Sequence, residues 1–320
     1  MPLLSGRVTG QELVLLGVIT LLWLALGVST DTFIQAGTLS NLAYNVAPIA
    51  LVGIGMTVVI VCGGIDVSVG SAVTVVTVIV AKLVRDQGVS LPVAVVVAVG
   101  VGALLGLVNG VLISVGRVHA IIITFGTLNV FRFVALRIFD SEQVAGVPGT
   151  LAVLGGGQTG ETLHVPHAFV VMLLLAGAMW WYMRNTAGGR HLYAMGGDRL
   201  AARLAGVKVQ RREVLAYVLT GVLVGLASCV VIGGGGLIGQ NVGVGLELQV
   251  IAAVVIGGTS IMGGRGTVLG TVLGALLVGT VASGVTILHW PSQLTSLFVG
   301  VFILVAVGTD VVRERSRRRA

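Results

Sequence analysis

The chain has 320 residues, 56% of them hydrophobic and only 10% charged, with a mean hydropathy of +1.06 and a formal net charge of +7. Soluble domains carry about 25% charged residues, so this composition excludes a soluble globular protein and indicates an all-α integral membrane protein. Glycine, at 49 residues, is abundant in the way that closely packed membrane helices require.

Apolar stretches of about 17–22 residues, the length of a transmembrane helix, fall near 13–29, 43–62, 66–81, 92–113, 120–138, 167–183, 214–232, 248–262, 267–287 and 292–309. That gives about ten spans, the third and eighth being short. The first follows Arg7, but its apolar core is longer than that of a signal peptide and no Ala-x-Ala site follows, so it reads as a span. Placing the N-terminus inside puts 15 of the 19 basic residues on the inner side: Arg7, Arg117, the run from Arg184 to Arg212, Arg265 and the tail arginines 313, 315, 317, 318 and 319. Lys82, Arg85, Arg132 and Arg137 fall in or beside outer segments. This asymmetry predicts that both termini are cytoplasmic. The basic tail, 310–320, then serves topology and anionic lipid rather than nucleic acid.

The stretch from Gly63 to Ser71 interrupts two apolar runs with a glycine pair, a carboxylate and a hydroxyl. A carboxylate is expensive in lipid, so Asp66 needs a role. The predicted topology puts Gly63 and Gly64 at the inner end of the second span and Asp66 at the start of the third, where a carboxylate can cap exposed backbone N–H groups. Solute contact or gating, and proton transfer, stay open beside that reading. Cys62 and Cys229 both lie in apolar segments and give neither a disulfide framework nor a metal site. Glycine files at four-residue spacing (Gly102, Gly106 and Gly110; Gly221 and Gly225; Gly266, Gly270 and Gly274) predict close helix crossings.

The outer segment near 139–166 carries Asp140, Glu142, Glu161 and His164, with His167 just after it, and reads as a solvated connector or a docking surface. The two histidines have no further ligands at metal-binding spacing, so no metal is expected. The glycine run 233–236, with the residues up to Glu247, reads as a flexible flank of a solute entrance. The inner loop 184–213 contains Asp198 as an N-cap, helix formers through Ala205 and Gly206 as a stop. These predict a two-turn helix over 198–205, with Leu200, Ala201 and Leu204 on or near one face. Such a helix is marginal alone and must rest on its own spans or on a partner.

Three blocks carry a resemblance: Gly64 to Ser71; Thr186 and Gly189-Arg190 through Ala201-Ala202 to Gly206; and Gly243 to Gly266. With them, nearly the whole chain resembles the permease subunit of bacterial ABC importers for monosaccharides, of the ribose, autoinducer-2 and rhamnose type. The resemblance implies a single transmembrane permease domain over 1–320 in the cytoplasmic (inner) membrane. Its implied partners are a second permease copy or paralogue, an ABC ATPase carrying ATP and Mg, and an extracytoplasmic sugar-binding protein. The 198–205 helix would dock on the ATPase, with Gly189, Arg190, Gly197, Asp198, Ala201, Ala202, Leu204 and Gly206 as coupling residues. No G-x-x-x-x-G-K-[ST] motif occurs, so hydrolysis belongs to the partner and the chain is not itself an enzyme. The chain departs from relatives at Asp198, where Asn is common, and at Phe133, where Gly is common, and 139–166 does not align.

Along the path, sugar hydroxyls need polar partners. The path and helix-break candidates are Gly63, Gly64, Asp66, Ser68, Asn109, Asn129 and Glu247, with Asn45, Thr57 and Thr124 as further polar groups. The rival reading is a self-sufficient proton-coupled transporter using Asp66 or Glu247. A membrane enzyme is disfavoured, because these few polar residues assemble no catalytic group.

Overall fold

The computed structural model describes residues 10–140, 142–156 and 158–319, with side chains in those ranges except 307 and 309–319. Arg7 and the side chains of the basic tail lie outside the described residues. Within them the chain forms α1 (Gly10–Ser29), α2 (Ala36–Val61), α3 (Val69–Gln87), α4 (Leu91–Gly116), α5 (Ala120–Phe139), α6 (His167–Asn185), α7 (Ala187–Gly197), α8 (Arg199–Leu204), α9 (Val209–Gly233), α10 (Leu246–Ile256), α11 (Val268–Ile287) and α12 (Gln293–Arg319). A short 3-10 helix (Gly149–Leu154) and a two-stranded hairpin, β1 (Glu161–Thr162) with β2 (Val165–Pro166), complete the described residues.

Seven helices, α1, α2, α4, α5, α6, α9 and α11, are long and apolar enough to cross a membrane. The other three expected spans correspond to α3, α10 and the apolar part of α12. α3 begins at Val69 rather than 66, and its last turns carry Lys82, Arg85 and Asp86. α10 has only 11 residues, about 16 Å against a hydrocarbon core of about 30 Å. Its start is set by Gly243 and Gly245, both at φ +79, and its end by Gly257 and by Gly258 at φ +95. Left-handed backbone of this kind suits glycine and stops a helix. The eighth span therefore reaches only part of the way across.

Hydrogen bonds sort the connections onto two ends. At one end, the Gly264 N–H donates to the Val61 carbonyl at 2.9 Å and the Tyr193 hydroxyl to the Gly266 carbonyl at 2.8 Å. Also there, the Thr267 hydroxyl donates to Glu12 Oε1 at 2.6 Å, and Gln210 Nε2 to the Ser114 carbonyl at 3.2 Å. Burial pushes the Tyr193 phenol up to about 12, so it stays a donor at any physiological pH. At the opposite end, the Tyr44 hydroxyl donates to the Val230 carbonyl at 2.9 Å, Ser40 bonds Glu161, and Val144 bridges Ile238. The first set holds the segments expected inside, the second those expected outside.

The glycine files explain the tightest packing. Gly102 faces Gly221 and Gly225, Gly106 faces Tyr217 and Val218, and Gly110 faces Val214. As the α4 position rises by four, the α9 position falls by about four, so the helices run antiparallel in contact along their length. A methyl group at any of the three would strike α9 backbone. Gly270 and Gly274 likewise pack on Gly257 and Ala253. Gly266 falls outside that file, in the turn before α11, because α11 starts only at Val268.

Candidate functional site

After Cys62 closes α2, Gly63 turns at φ +89 and the chain runs back between the helices. Gly64 is packed against the Tyr217 hydroxyl and Val59, leaving no room for a side chain. Asp66, Ser68 and Asn109 are 3%, 1% and 1% exposed. Asn109 lies seven residues before the end of α4, about 10 Å from that end, and the same small cavity touches Thr220, Gly221 and Val224 at the middle of α9. Asp66 thus sits well inside the helix layer. This corrects the expectation that placed it at the inner boundary: the residues after Gly63 climb back inside before α3 begins.

Asp66 Oδ1 accepts from the Ser68 N–H at 2.9 Å and the Ser68 hydroxyl at 2.6 Å. Asn109 Nδ2 donates to Ser68 Oγ at 2.8 Å and lies 3.4 Å from Asp66 Oδ2. The formal cap of α3 is Ser68, whose side chain makes no capping bond; the carboxylate two residues earlier satisfies a backbone N–H ahead of the helix instead. The Thr124 hydroxyl donates to the Ile65 carbonyl at 3.1 Å, so α5 also holds the break. The cavity here is about 10 Å³, room for about one water and far too small for a sugar.

A second discontinuity meets the first. The residues before α10 descend from the outer end until Gly243 and Glu247 pack on Gly70, in the first turn of α3. Thr74 bonds the Val242 carbonyl, and Arg132 Nη1 donates to Thr74 Oγ at 3.2 Å and to the Val242 carbonyl at 3.4 Å. The N-termini of α3 and α10 are thereby brought together at mid-depth, the arrangement by which broken helices build solute sites in membranes. Asn129, at the middle of α5, is exposed; Arg132 and Glu247 are half-buried; Val244 and Leu248 beside them are exposed. An accessible amide, guanidinium and carboxylate at this depth suit water or another protein surface, not lipid tails.

The structure brings Asp66, Ser68 and Asn109 together; Glu247 packs on Gly70, one turn of α3 from the Thr74 that Arg132 contacts, Asn129 lies three residues before Arg132 on α5, and Thr57 and Asn45 stand apart. Thr57 is fully buried and shares a 2.5 Å hydrogen bond with Thr271 between α2 and α11. Asn45 donates to Asn41 near the outer end.

The inner loop holds two helices where the sequence indicated one. Thr186 caps α7, its hydroxyl accepting from the Gly189 N–H at 3.1 Å. Asp198 caps α8, Oδ1 accepting from the Leu200 and Ala201 N–H groups at 2.9 Å each. Gly206, at φ +84, ends it as expected. Gly189 packs on the Met183 backbone, Gly197 has open space around it, and Arg190 is exposed with Nη1 3.4 Å from the Asn185 carbonyl. Leu200, Ala201 and Leu204 are exposed together, the two leucines at 66% and 81%, and the helix rests on its own chain through the buried Ala202. Six residues with every third or fourth position buried leave room for only one anchor, and the small Ala202 provides the close fit.

Two residues escaped sequence reasoning. Glu213, 4% exposed, pairs with Arg199 and joins α8 to α9; its signal was a lone acid closing the basic run 208–212. Arg132 was assigned to the outer edge, yet it lies past the middle of α5; a guanidinium inside an apolar run was the available signal.

Residues 38–307 match the family described as branched-chain amino acid transport system / permease component. The chain is 35% identical over 295 residues to the ribose import permease protein of Escherichia coli strain K12, covering 91% of this chain and 92% of that protein. It is 33% identical over 283 residues to the fructose import permease protein of Rhizobium meliloti, covering 87% and 79%. It is 32% identical over 314 residues to an autoinducer 2 import system permease protein of Yersinia pseudotuberculosis, covering 96% and 93%. No solved structure matches it significantly.

Proposed function

The chain belongs to this family of transport-system permease components, and we propose that it forms half of the translocation path of an ABC importer for a monosaccharide or related small polyol. The substrate class follows the relatives named for ribose, fructose and autoinducer-2. α1–α6 and α9–α12 are the ten membrane segments, with both termini cytoplasmic in a bacterial inner membrane. The end bearing α7 and α8 faces the cytoplasm, because it gathers the basic residues.

The observation that carries this reading is the mid-depth meeting of two helix breaks, at which Arg132 and Glu247 stand half-buried. A second permease copy or paralogue across from it would enclose a polar path, and sugar hydroxyls would find donors and acceptors there. Leu200 and Leu204 project from α8 to fit a groove on an ABC ATPase, which supplies ATP and Mg. Above, the rigid turn of the β1–β2 hairpin presents Leu163, 91% exposed, as a contact for a sugar-binding protein.

The test is reconstitution in proteoliposomes. Labelled pentose or hexose should accumulate only when the ATPase, ATP and the cognate binding protein are all present. Uptake by this chain alone under a pH gradient would instead establish the proton-coupled transporter.

A further inference from the structure

We propose that the inner-end groove between α4, α8 and α9 binds the phosphate headgroup of an anionic phospholipid. Arg117, Arg203, Lys208 and Arg211 converge on an open void of about 400 Å³. They come from three elements: Arg117 is the left-handed residue that ends α4, Arg203 lies in the last turn of α8, and Lys208 and Arg211 begin α9. Gln210 fixes the wall between them through its bond to the Ser114 carbonyl.

None of the four cations has an acidic partner among the described residues. The nearby acid, Glu213, is committed to Arg199. Cations scattered over a convex surface are explained by solvation, whereas four lining one concavity repel one another until an anion enters. The start of α9 adds to this field, since Lys208 provides no side-chain cap for a helix of 25 residues.

Position selects a lipid as the source of the phosphate. The groove lies where α4 ends and α9 begins, both helices of membrane-spanning length, and so at headgroup level. Val111 and Val115, on the last turns of α4 before Arg117, are 40% and 69% exposed. They supply an apolar wall for acyl chains that leads up from the charged groove. A free phosphate would have no use for this wall, nor would an acidic protein segment. Basic pockets at the cytoplasmic ends of membrane helices bind lipids of this class. The inference does not depend on which solute is carried.

The test uses the full-length permease in its transport complex, in nanodiscs of phosphatidylcholine doped with phosphatidylglycerol or cardiolipin. Retained lipid is measured by native mass spectrometry. The wild type should retain the anionic lipids at least about tenfold over phosphatidylcholine, each headgroup-level cation being worth about fivefold. Arg117→Gln with Arg211→Gln should reduce the preference severalfold at unchanged melting temperature in pure phosphatidylcholine. Lys208→Gln alone, the milder change, should lower it partially if the pair disturbs folding. An equal preference in wild type and variants would overturn the proposal. So would competition by millimolar inorganic phosphate without lipid selectivity, which would make the groove a free-anion site. Loss of ATPase co-purification in the double variant with unchanged lipid retention would also overturn it, and assign the cations to an acidic protein contact.

Discussion

The two helix breaks differ in how they are held. The first, at 62–68, is locked by side chains: Asp66, Ser68 and Asn109 are almost fully buried, and Thr124 ties it to a third helix. The second, at 233–245, is glycine-rich and largely accessible; it meets α3 where Gly243 packs on Gly70 and Thr74 bonds the Val242 carbonyl, which also accepts from Arg132 of α5. A buried network cannot exchange its partners for water, whereas an accessible segment can. In the proposed transport cycle the first break would serve as the pivot and the second as the part that moves.

The largest expected effect follows from breaking the lock. Asp66→Leu removes the acceptor for the Ser68 N–H and Ser68 hydroxyl and should cost about 3 kcal/mol, leaving buried donors unpaired. Thermal unfolding in detergent would show it, and an unchanged melting temperature would refute the pivot. Arg132→Gln acts on the movable side: binding-protein-dependent uptake should fall about tenfold, equivalent to about 1.4 kcal/mol, while the melting temperature stays within a degree or two. Leu200→Ser with Leu204→Ser should weaken ATPase co-purification severalfold without lowering membrane insertion, because both side chains are exposed. Asp66→Asn keeps one acceptor oxygen and should cost about 1 kcal/mol with transport largely intact. Folded protein with no uptake would place the carboxylate's charge in the transport step. Smallest, Gly245→Ala should slow uptake through a left-handed strain of about 1 kcal/mol.

The length of the apolar runs located the seven helices long enough to cross a membrane, because such runs have one interpretation in lipid. The caps were legible too: Asp198 and Gly206 each act within a few residues of the position that reveals them. The glycine file of α4 signalled a close crossing but could not name α9 as its partner. Depth was invisible. Asp66 follows a glycine pair, and only tertiary packing shows that the chain folds back inward there rather than emerging. For the same reason the eighth span, already short in the sequence, reads too long there: it extends through 257–262, yet Gly257 and Gly258 end the helix at Ile256. α7 was missed because four of its 11 residues, Gly188, Gly189, Gly196 and Gly197, are poor helix formers, a composition rescued by the Thr186 cap.

The glycine-zipped pairing of α4 with α9 has a mechanical consequence. The Arg199–Glu213 pair fastens α8 to the first turns of α9, and α9 carries α4 with it because backbone lies on backbone with nothing compressible between. Under the proposed topology the two would move as one stiff oar with its handle in the cytoplasm. At 25 residues the blade is about 37 Å long, so a tilt of about 10° at the handle sweeps the far tip through about 6 Å. On the proposed docking of α8 to an ATPase, a small stroke there would be magnified into a displacement comparable to the width of a sugar ring.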